Sequence, residues 1–179
     1  MTIAAEPPED LAFDSLSTPA GNALVMWDAQ ERLRVFDWEG YEARMRRLLV
    51  RHYGPIEPRL GRAPASLRQA LQAYFAGELS SLEGIACATG GTPFQRTVWA
   101  ALRDIPPGRT ESYASLAARI GRPAAIRAVG LANGANPIGL VVPCHRVIGA
   151  DGSLTGYGGG VERKSWLLRH EGAAFRQAA

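Results

Sequence analysis

The stretch Val141-Val142-Pro143-Cys144-His145-Arg146-Val147-Ile148-Gly149 decides how the rest of this chain is organised. Apolar, mostly β-branched residues stand on both sides of its central proline, cysteine and histidine, a pattern typical of buried extended backbone. We therefore predict that the segment crosses the interior and holds Cys144 at a fixed position. A thiol placed in this way is either a buried structural residue or a nucleophile, and the local pattern favours neither.

The two cysteines, Cys87 and Cys144, predict a reducing compartment rather than a disulfide framework. Neither has a second Cys or His at the spacing of a zinc site, because Cys144 and His145 are adjacent and too close to share one metal. We therefore expect no metal, and we interpret Cys87 as a small buried apolar residue.

Length and composition predict a globular protein of one large or two small domains, since the chain has 179 residues, 46% of them hydrophobic. No apolar run approaches the length of a membrane span, and the acidic N-terminus lacks the features of a secretory signal. We expect a cytoplasmic monomer with no membrane partner.

The net charge of +3 is unevenly divided along the chain. Residues 1–89 hold nine arginines and twelve acids, a net charge of −3, whereas residues 90–179 hold eleven basic residues and five acids, a net charge of +6. The basic half either faces a polyanion such as DNA or carries an ordinary solvated surface.

The first half has the pattern of a small α+β domain. Residues 1–10 combine acids and prolines with few apolar groups and are predicted to be disordered. Residues 11–39 contain short β-rich runs, residues 41–52 have helical spacing, and a second helix is predicted after Pro64. No polar constellation stands out, so we predict a scaffolding domain over residues 11–89.

The second half, residues 90–179, is predicted to form a mostly α-helical domain after a Gly-rich linker at 88–91. Its first helix begins at Thr92, where an N-cap, a proline and a capping box follow one another. Two short helices over 113–120 and 123–133 then have the spacing of a helix-turn-helix.

The second helix of this pair, 123–133, has an unusual face of small residues with one arginine. One side carries Ala124, Arg127, Ala128 and Leu131, and the other carries Ile126, Val129, Gly130 and Asn133. Either the first side approaches a nucleic-acid groove, with Arg127 as the reaching group, or the helix is buried on both sides.

A nucleophilic Cys144 needs a base, because a free thiol with a pKa of about 8.5 is only about 3% ionised at neutral pH. His145 is the nearest candidate, yet neighbouring side chains of an extended segment point to opposite faces. Either the backbone bends after Pro143, or a water bridges the thiol and the imidazole. Glu171 ends the last predicted helix, where a carboxylate opposes the helix dipole, and it either orients His145 or is simply solvated.

The segment VVPCHRVIG, followed by LTGYGGGVERKSWLLRHEG, strongly resembles the O6-alkylguanine-DNA alkyltransferases, or methylated-DNA–protein-cysteine methyltransferases. The resemblance extends back through GTPFQRTVWAALRDIPPGRTESYASLAARIGRPAAIRAVGLANGANP and covers residues 90–179. The first half is similar to the variable domain of bacterial members through VFDWEGYEARM and LQAYFAGEL. This resemblance implies an α+β fold. It consists of a small N-terminal domain with an antiparallel, ribonuclease H-like sheet plus helices, and a mostly α C-terminal domain with a winged-helix-like helix-turn-helix.

The resemblance also implies a function and a set of site residues. The partner would be double-stranded DNA containing alkylated bases, and the alkyl group of O6-alkylguanine would pass to Cys144 after base flipping through the minor groove, once per molecule and without a cofactor. Whether O4-alkylthymine is also a substrate is left open. The implied catalytic residues are Cys144 (acceptor), His145 (acting on it through a water), Glu171 (orienting His145) and Asn136 (bracing the turn). The implied substrate and DNA contacts are Tyr113, Arg127 (the finger that fills the duplex), Ala128, Val147, Tyr157, Gly158 and Lys164.

Two other functions fit parts of the pattern. A lesion sensor or transcription regulator would use the helix-turn-helix alone, but the full set of Cys144, His145 and Glu171 counts against it. A Cys-His hydrolase acting on a small substrate would leave Arg127 and the basic half without a role.

Overall fold

The computed structural model describes Pro8 and residues 10–176, so the prediction of disorder for residues 1–10 lies almost wholly outside the described residues. The described chain is a mixed α/β molecule with six strands and six α-helices. None of its described helices is both long and apolar enough to cross a membrane.

A four-stranded sheet forms the centre of the first half. Its strands are β1 (Leu11–Thr18), β2 (Gly21–Asp28), β3 (Leu33–Trp38) and β4 (Arg59–Leu60), in the order β3-β2-β1-β4. The first three pair antiparallel, as expected, but β4 pairs parallel with β1. The expectation of an antiparallel sheet is therefore wrong at one edge, because a helix between β3 and β4 carries the chain back across the sheet so that β4 runs in the direction of β1.

Two helices of the first half lie against opposite faces of this sheet, where helical spacing predicts them. They are α1 (Glu42–Tyr53) and α2 (Ala65–Phe75). The strand residues alternate accordingly: Leu24 and Met26 of β2 belong to the cluster under α1, whereas Val25 belongs to the larger core that α2 joins. The face that carries α2 is also the face that meets the second half of the chain.

The second half contains four further helices: α3 (Pro93–Arg103), α4 (Tyr113–Arg119), α5 (Ile126–Gly134) and α6 (Val161–His170). The capping box of α3 is confirmed, because Thr92 Oγ1 accepts from the backbone N–H of Gln95 at 3.2 Å and Gln95 Oε1 accepts from the backbone N–H of Thr92 at 2.9 Å. The predicted start of α5 is wrong by three residues. Pro123 lies in a turn that the N–H of Ala125 closes onto the carbonyl of Arg122 at 2.8 Å, and the helix begins after it.

The edge strand β3 joins the two halves. The N–H of Phe36 donates to the carbonyl of Pro137 at 2.9 Å, and the N–H of Gly139 donates to the carbonyl of Phe36 at 2.9 Å. One continuous core of buried residues runs from this strand to Ile138 and Leu140. The segment leading to Cys144 is therefore laid against a sheet edge, which fixes its position.

The prediction of an extended backbone at Cys144 is wrong. Residues Cys144–Arg146 form a single 3₁₀ turn, and β6 (Val147–Ile148) then pairs parallel with β5 (Glu111–Ser112). The N–H of Cys144 donates to the carbonyl of Val142 at 2.8 Å, which tightens the chain just before the turn. The backbone therefore bends after Pro143, but the bend does not give Nδ1 of His145 a hydrogen bond to the thiol of Cys144.

Candidate active site

Cys144 opens the 3₁₀ turn with only 4% of its surface exposed. Burial raises the pKa of its thiol, while the side-chain amide of Asn136 and the positive charges of Arg44 and Lys164 lower it in part. The net shift is upward, so the resting residue is a neutral thiol that requires a base before it can act as a nucleophile.

His145 is fully buried and has the features of that base. Its Nε2 lies 2.9 Å from Oε1 of Glu171, and because an ionised carboxylate can only accept, Nε2 carries the hydrogen and Nδ1 keeps its lone pair. Nδ1 is buried and has no hydrogen-bond partner among the described residues. Burial, together with the positive charges of Arg146 and Lys164, lowers the pKa of His145 by more than Glu171 raises it, so the neutral imidazole is favoured at pH 7.

Glu171 sits at the C-cap of α6 and accepts hydrogen bonds from three side chains. Besides His145, Tyr74 Oη donates to Oε1 at 2.7 Å, and Arg146 donates from Nη2 to Oε1 and from Nε to Oε2, both at 2.9 Å. Burial by itself would raise the pKa of Glu171, but His145 and Arg146 hold it well below its usual range. Glu171 is therefore an ionised, buried group, and the alternative of a solvated carboxylate is wrong.

Asn136 lies where a brace for the active turn would have to be. It is fully buried, its Nδ2 donates to the carbonyl of Val142 at 2.8 Å, and its Oδ1 accepts from the N–H of Ile138 at 3.0 Å. A second asparagine, Asn133 of α5, donates to the carbonyl of Cys144 at 3.3 Å. The backbone on both sides of the thiol is thus fixed by side-chain amides.

Two predicted pocket residues, Tyr113 and Lys164, meet at the hydroxyl of Thr155, a residue that the sequence did not single out. Tyr113 Oη and Thr155 Oγ1 are 2.7 Å apart, and Lys164 Nζ lies 3.3 Å from the same Thr155 oxygen. Lys164 also donates to the carbonyl of Val147 at 2.6 Å. Burial lowers the pKa of Lys164 to about 8, so the ammonium is still largely protonated at pH 7.

The loop of Tyr157 and Gly158 is approached closely by the first half of the chain. The Tyr157 ring lies edge-on to the His145 ring at 6.4 Å, and a Cβ on Gly158 would lie 2.6 Å from Cζ of Arg44. The same guanidinium donates to the carbonyls of Gly134 at 2.9 Å and of Asn136 at 3.0 Å. Arg44 of α1 therefore ties the end of α5 to the active-site loop.

The outer face of α5 is open. Arg127, Ala128 and Leu131 are exposed, Leu131 to 70%, so the alternative of a helix buried on both sides is wrong. Val129 is buried, as predicted for the inner side, but Ile126 is 44% exposed. The structure thus places Arg127 and Ala128 on the surface, on the opposite side of α5 from the buried contacts to Cys144.

The second thiol has no such surroundings. Cys87 is half-buried rather than buried, and burial raises the pKa of its thiol to about 11. No group of three His, Cys, Asp or Glu side chains within the described part of the chain is placed to hold a metal ion.

Comparison with known proteins places these features in a family. A model described as 6-O-methylguanine DNA methyltransferase, DNA binding domain, matches residues 93–173. A methylated-DNA–protein-cysteine methyltransferase from Salmonella typhimurium is 55% identical over 164 residues, which cover 90% of this chain and 96% of that protein. The chain belongs to the methylated-DNA–protein-cysteine methyltransferase family.

Solved structures of related proteins have the same mixed α/β fold as this methyltransferase family member. The crystal structure of Mycobacterium tuberculosis OGT in complex with DNA has a TM-score of 0.77 and 39% identity, covering 90% of this chain and 92% of that one. The O6-methylguanine-DNA methyltransferase of the archaeon Pyrococcus kodakaraensis has a TM-score of 0.69 and 25% identity, covering 91% and 99%.

The relay of this methyltransferase consists of Cys144, His145 and Glu171, and the sequence did not predict several residues that surround it. Arg146 is buried within the same motif as Cys144, and its guanidinium also donates to the carbonyl of Ile105. A carboxylate at the C-terminal end of a helix opposes the helix dipole, and this is a hint of another partner that does not say which residue it is. No sequence signal identifies which arginine, or that Tyr74 and Arg44 reach in from the first half.

Proposed function

We propose that this protein repairs double-stranded DNA by transferring the alkyl group of O6-alkylguanine directly to its own Cys144. One observation carries the proposal: in a member of the methyltransferase family, a buried thiol is followed by a buried neutral imidazole whose other nitrogen is held by the ionised Glu171. This arrangement gives a base with one available lone pair on the residue that follows the acceptor cysteine.

The transfer is a displacement at the alkyl carbon. Nδ1 of His145, which makes no hydrogen bond to the thiol itself, takes the proton from Cys144 through one water, and Glu171 stabilises the imidazolium that forms. The sulfur forms a bond to the alkyl carbon while the bond between that carbon and guanine O6 breaks, and its electron pair stays on the guanine. The proton from the thiol finally neutralises the released guanine, so the products are an S-alkylcysteine and an unmodified base.

The product explains why the reaction occurs once per molecule. A thioether is not readily hydrolysed, and among the described residues the other thiol, Cys87, has a raised pKa and does not contact the relay. The step needs no cofactor, because the substrate itself supplies the alkyl group. Cys144 is therefore a consumed reagent.

Access to the lesion requires flipping the base out of the stack, at a cost of about a few kcal/mol. Arg127 on the open face of α5 offsets part of that cost by occupying the vacated space, while the small side chain of Ala128 lets the helix lie close in the minor groove. The flipped base enters a pocket whose walls are Tyr113, Val147, Tyr157, Gly158 and Lys164.

The finer architecture belongs to the same proposal. The β3-β2-β1-β4 sheet with its helices would be a ribonuclease H-like N-terminal domain over 11–89, and α4 and α5 with the β5–β6 pair would be a winged-helix-like helix-turn-helix within 90–179. The proposal also includes a monomeric, cytoplasmic protein. The reaction requires a free thiol, both cysteines are free, and a reducing compartment such as the cytoplasm keeps thiols in that state.

Duplex DNA bearing a labelled methyl group on guanine O6 tests the proposal. After incubation, digestion and mass spectrometry are expected to find the label on Cys144 in the natural chain. Cys144→Ser is expected to take up none, whereas Cys87→Ala, which removes the other thiol, is expected to react normally. Tight binding with an intact lesion would instead favour a sensor, and the absence of DNA binding would favour a hydrolase.

A further inference from the structure

Tyr74 connects the first half of the chain to the centre of the relay. It lies in the last turn of α2, is fully buried, and donates its phenolic hydrogen to Glu171 Oε1 at 2.7 Å, the shortest of the hydrogen bonds described for that carboxylate. Its ring packs edge-on to His170 at 5.1 Å, and the Nε2 of His170 lies 2.8 Å from the carbonyl of Tyr74. The phenol is therefore held in place from both its ring and its backbone.

One carboxylate oxygen serves three donors. Oε1 of Glu171 accepts from Tyr74, from His145 and from Arg146, whereas Oε2 accepts from Arg146. A carboxylate oxygen has about two lone-pair directions, so three donors on one oxygen compete for the same negative charge. The hydrogen bond from Tyr74, in the first half of the chain, therefore weakens the attraction between the negative charge of Glu171 and His145.

We propose that Tyr74 is a positioning residue for the transfer reaction, which fixes the carboxylate of Glu171 against His145 and limits how strongly that carboxylate attracts a proton onto the imidazole. The inference rests on the proposed function and assigns the first half of the chain a part in the chemistry, beyond scaffolding.

The direction of the effect follows from electrostatics. Removing the phenolic donor leaves more negative charge on Oε1, and a more negative neighbour favours the imidazolium. The inactive form, in which Cys144 is a thiol and His145 is an imidazolium, then persists to higher pH. The other charged or titratable groups that act on His145 are Arg146 and Lys164, with Tyr157 at its ring edge, and Tyr74→Phe leaves all three side chains in the protein.

The test is the pH dependence of single-turnover alkyl transfer from methylated duplex DNA. Tyr74→Phe is expected to move the acidic limb of the profile to higher pH by about 0.5 to 1 unit, because the lost hydrogen bond is made to Glu171 and acts on His145 only through that carboxylate. Replacing Tyr74 by difluorotyrosine, whose phenol is a stronger donor, is expected to move the limb to lower pH. Opposite shifts from two changes at one position are not expected from a loss of packing.

Tyr53→Phe is the matched control. Its hydroxyl also makes hydrogen bonds in the first half, to the carbonyl of Ala88 at 3.2 Å and from the N–H of Gly90 at 3.3 Å, without touching the relay. Its profile is expected to superimpose on that of the natural chain. If the natural chain transfers no alkyl group, the proposed function fails. If it does, and both Tyr74 variants keep its acidic limb, the role of Tyr74 alone is overturned; should Tyr74→Phe not fold, the difluorotyrosine protein decides the question.

Discussion

At the scale of single residues, the site depends on one buried negative charge. Glu171 is surrounded by His145, Arg146 and Tyr74, which replace the water that an exposed carboxylate would have. The same contacts hold Arg146 in the interior, so loss of the negative charge leaves a buried positive charge without its partner.

Glu171→Gln is therefore expected to lower the free energy of unfolding at pH 7 by about 3–5 kcal/mol, the usual cost of breaking a buried pair. Because the pKa of Glu171 is lowered in the folded protein, its contribution is present above the ordinary carboxyl pKa of about 4.3 and is lost as the pH falls below that value. The difference between the natural chain and Glu171→Gln should shrink from pH 6 to pH 3 in urea unfolding.

The control for this prediction is Glu162→Gln, an exposed carboxylate in the first turn of the same helix. It is expected to change the free energy of unfolding by no more than about 1 kcal/mol, the scale of a helix-dipole interaction. A difference for Glu171→Gln that stays constant across the pH range would contradict the account of a buried, ionised carboxylate.

At the scale of elements, α5 separates two tasks between its faces. The inner face fixes the active turn through Asn133, and the outer face presents Arg127, Ala128 and Leu131 to solvent. The glycine loop at 156–160 also differs between positions. A Cβ on Gly156 would have no atom within 4 Å, whereas a Cβ on Gly158 or Gly159 would collide with side chains of the first half of the chain.

Arg127→Ala is expected to slow transfer from duplex DNA by about 10- to 100-fold, because the cost of keeping the base flipped is no longer offset. Reaction with free O6-benzylguanine, which needs no flipping, should be nearly unchanged. Arg122→Ala removes the same charge from the exposed turn before α5 and serves as the control for general phosphate attraction. Equal losses of rate with duplex DNA and with the free base would show that Arg127 does not act by filling the gap left by the flipped base.

Gly158→Ala is expected to destabilise the protein by about 1–3 kcal/mol and to slow transfer to both substrates. The new methyl group would lie 2.6 Å from Cζ of Arg44, whose guanidinium cannot move without leaving the carbonyls of Gly134 and Asn136. Gly156→Ala, at a position with nothing within 4 Å, is the control. Thermal unfolding and transfer rates that are the same for both variants would show that the Arg44 contact is dispensable.

At the scale of the whole molecule, the two halves form one packed unit. The hydrogen bonds between Phe36 and residues 137–139, the Arg44 contacts and the Tyr74–Glu171 bond all cross from the first half to the second. We therefore expect a single unfolding transition in which tryptophan fluorescence and far-UV circular dichroism coincide. Two separated transitions would indicate that these contacts do not couple the halves.

The sequence predicts those features that are encoded locally. The capping box at Thr92 and the helix after Pro64 are predicted from neighbouring positions, and both are confirmed. The turn at Cys144 is not predicted by the sequence, because apolar neighbours are compatible with any buried backbone. The partners of Glu171 are not predicted by the sequence either. Tyr74 lies 97 positions away along the chain, and its hydrogen bond depends on how the two halves pack.

The central claim is that Cys144 is the acceptor and is consumed. Its most direct test is to incubate a known amount of protein with excess O6-methylguanine duplex and to count lesions removed per chain. We predict a plateau at one lesion per chain, matched by one S-methylcysteine at Cys144. Continued removal beyond one lesion per chain, or a plateau with Cys144 unmodified, would contradict the account.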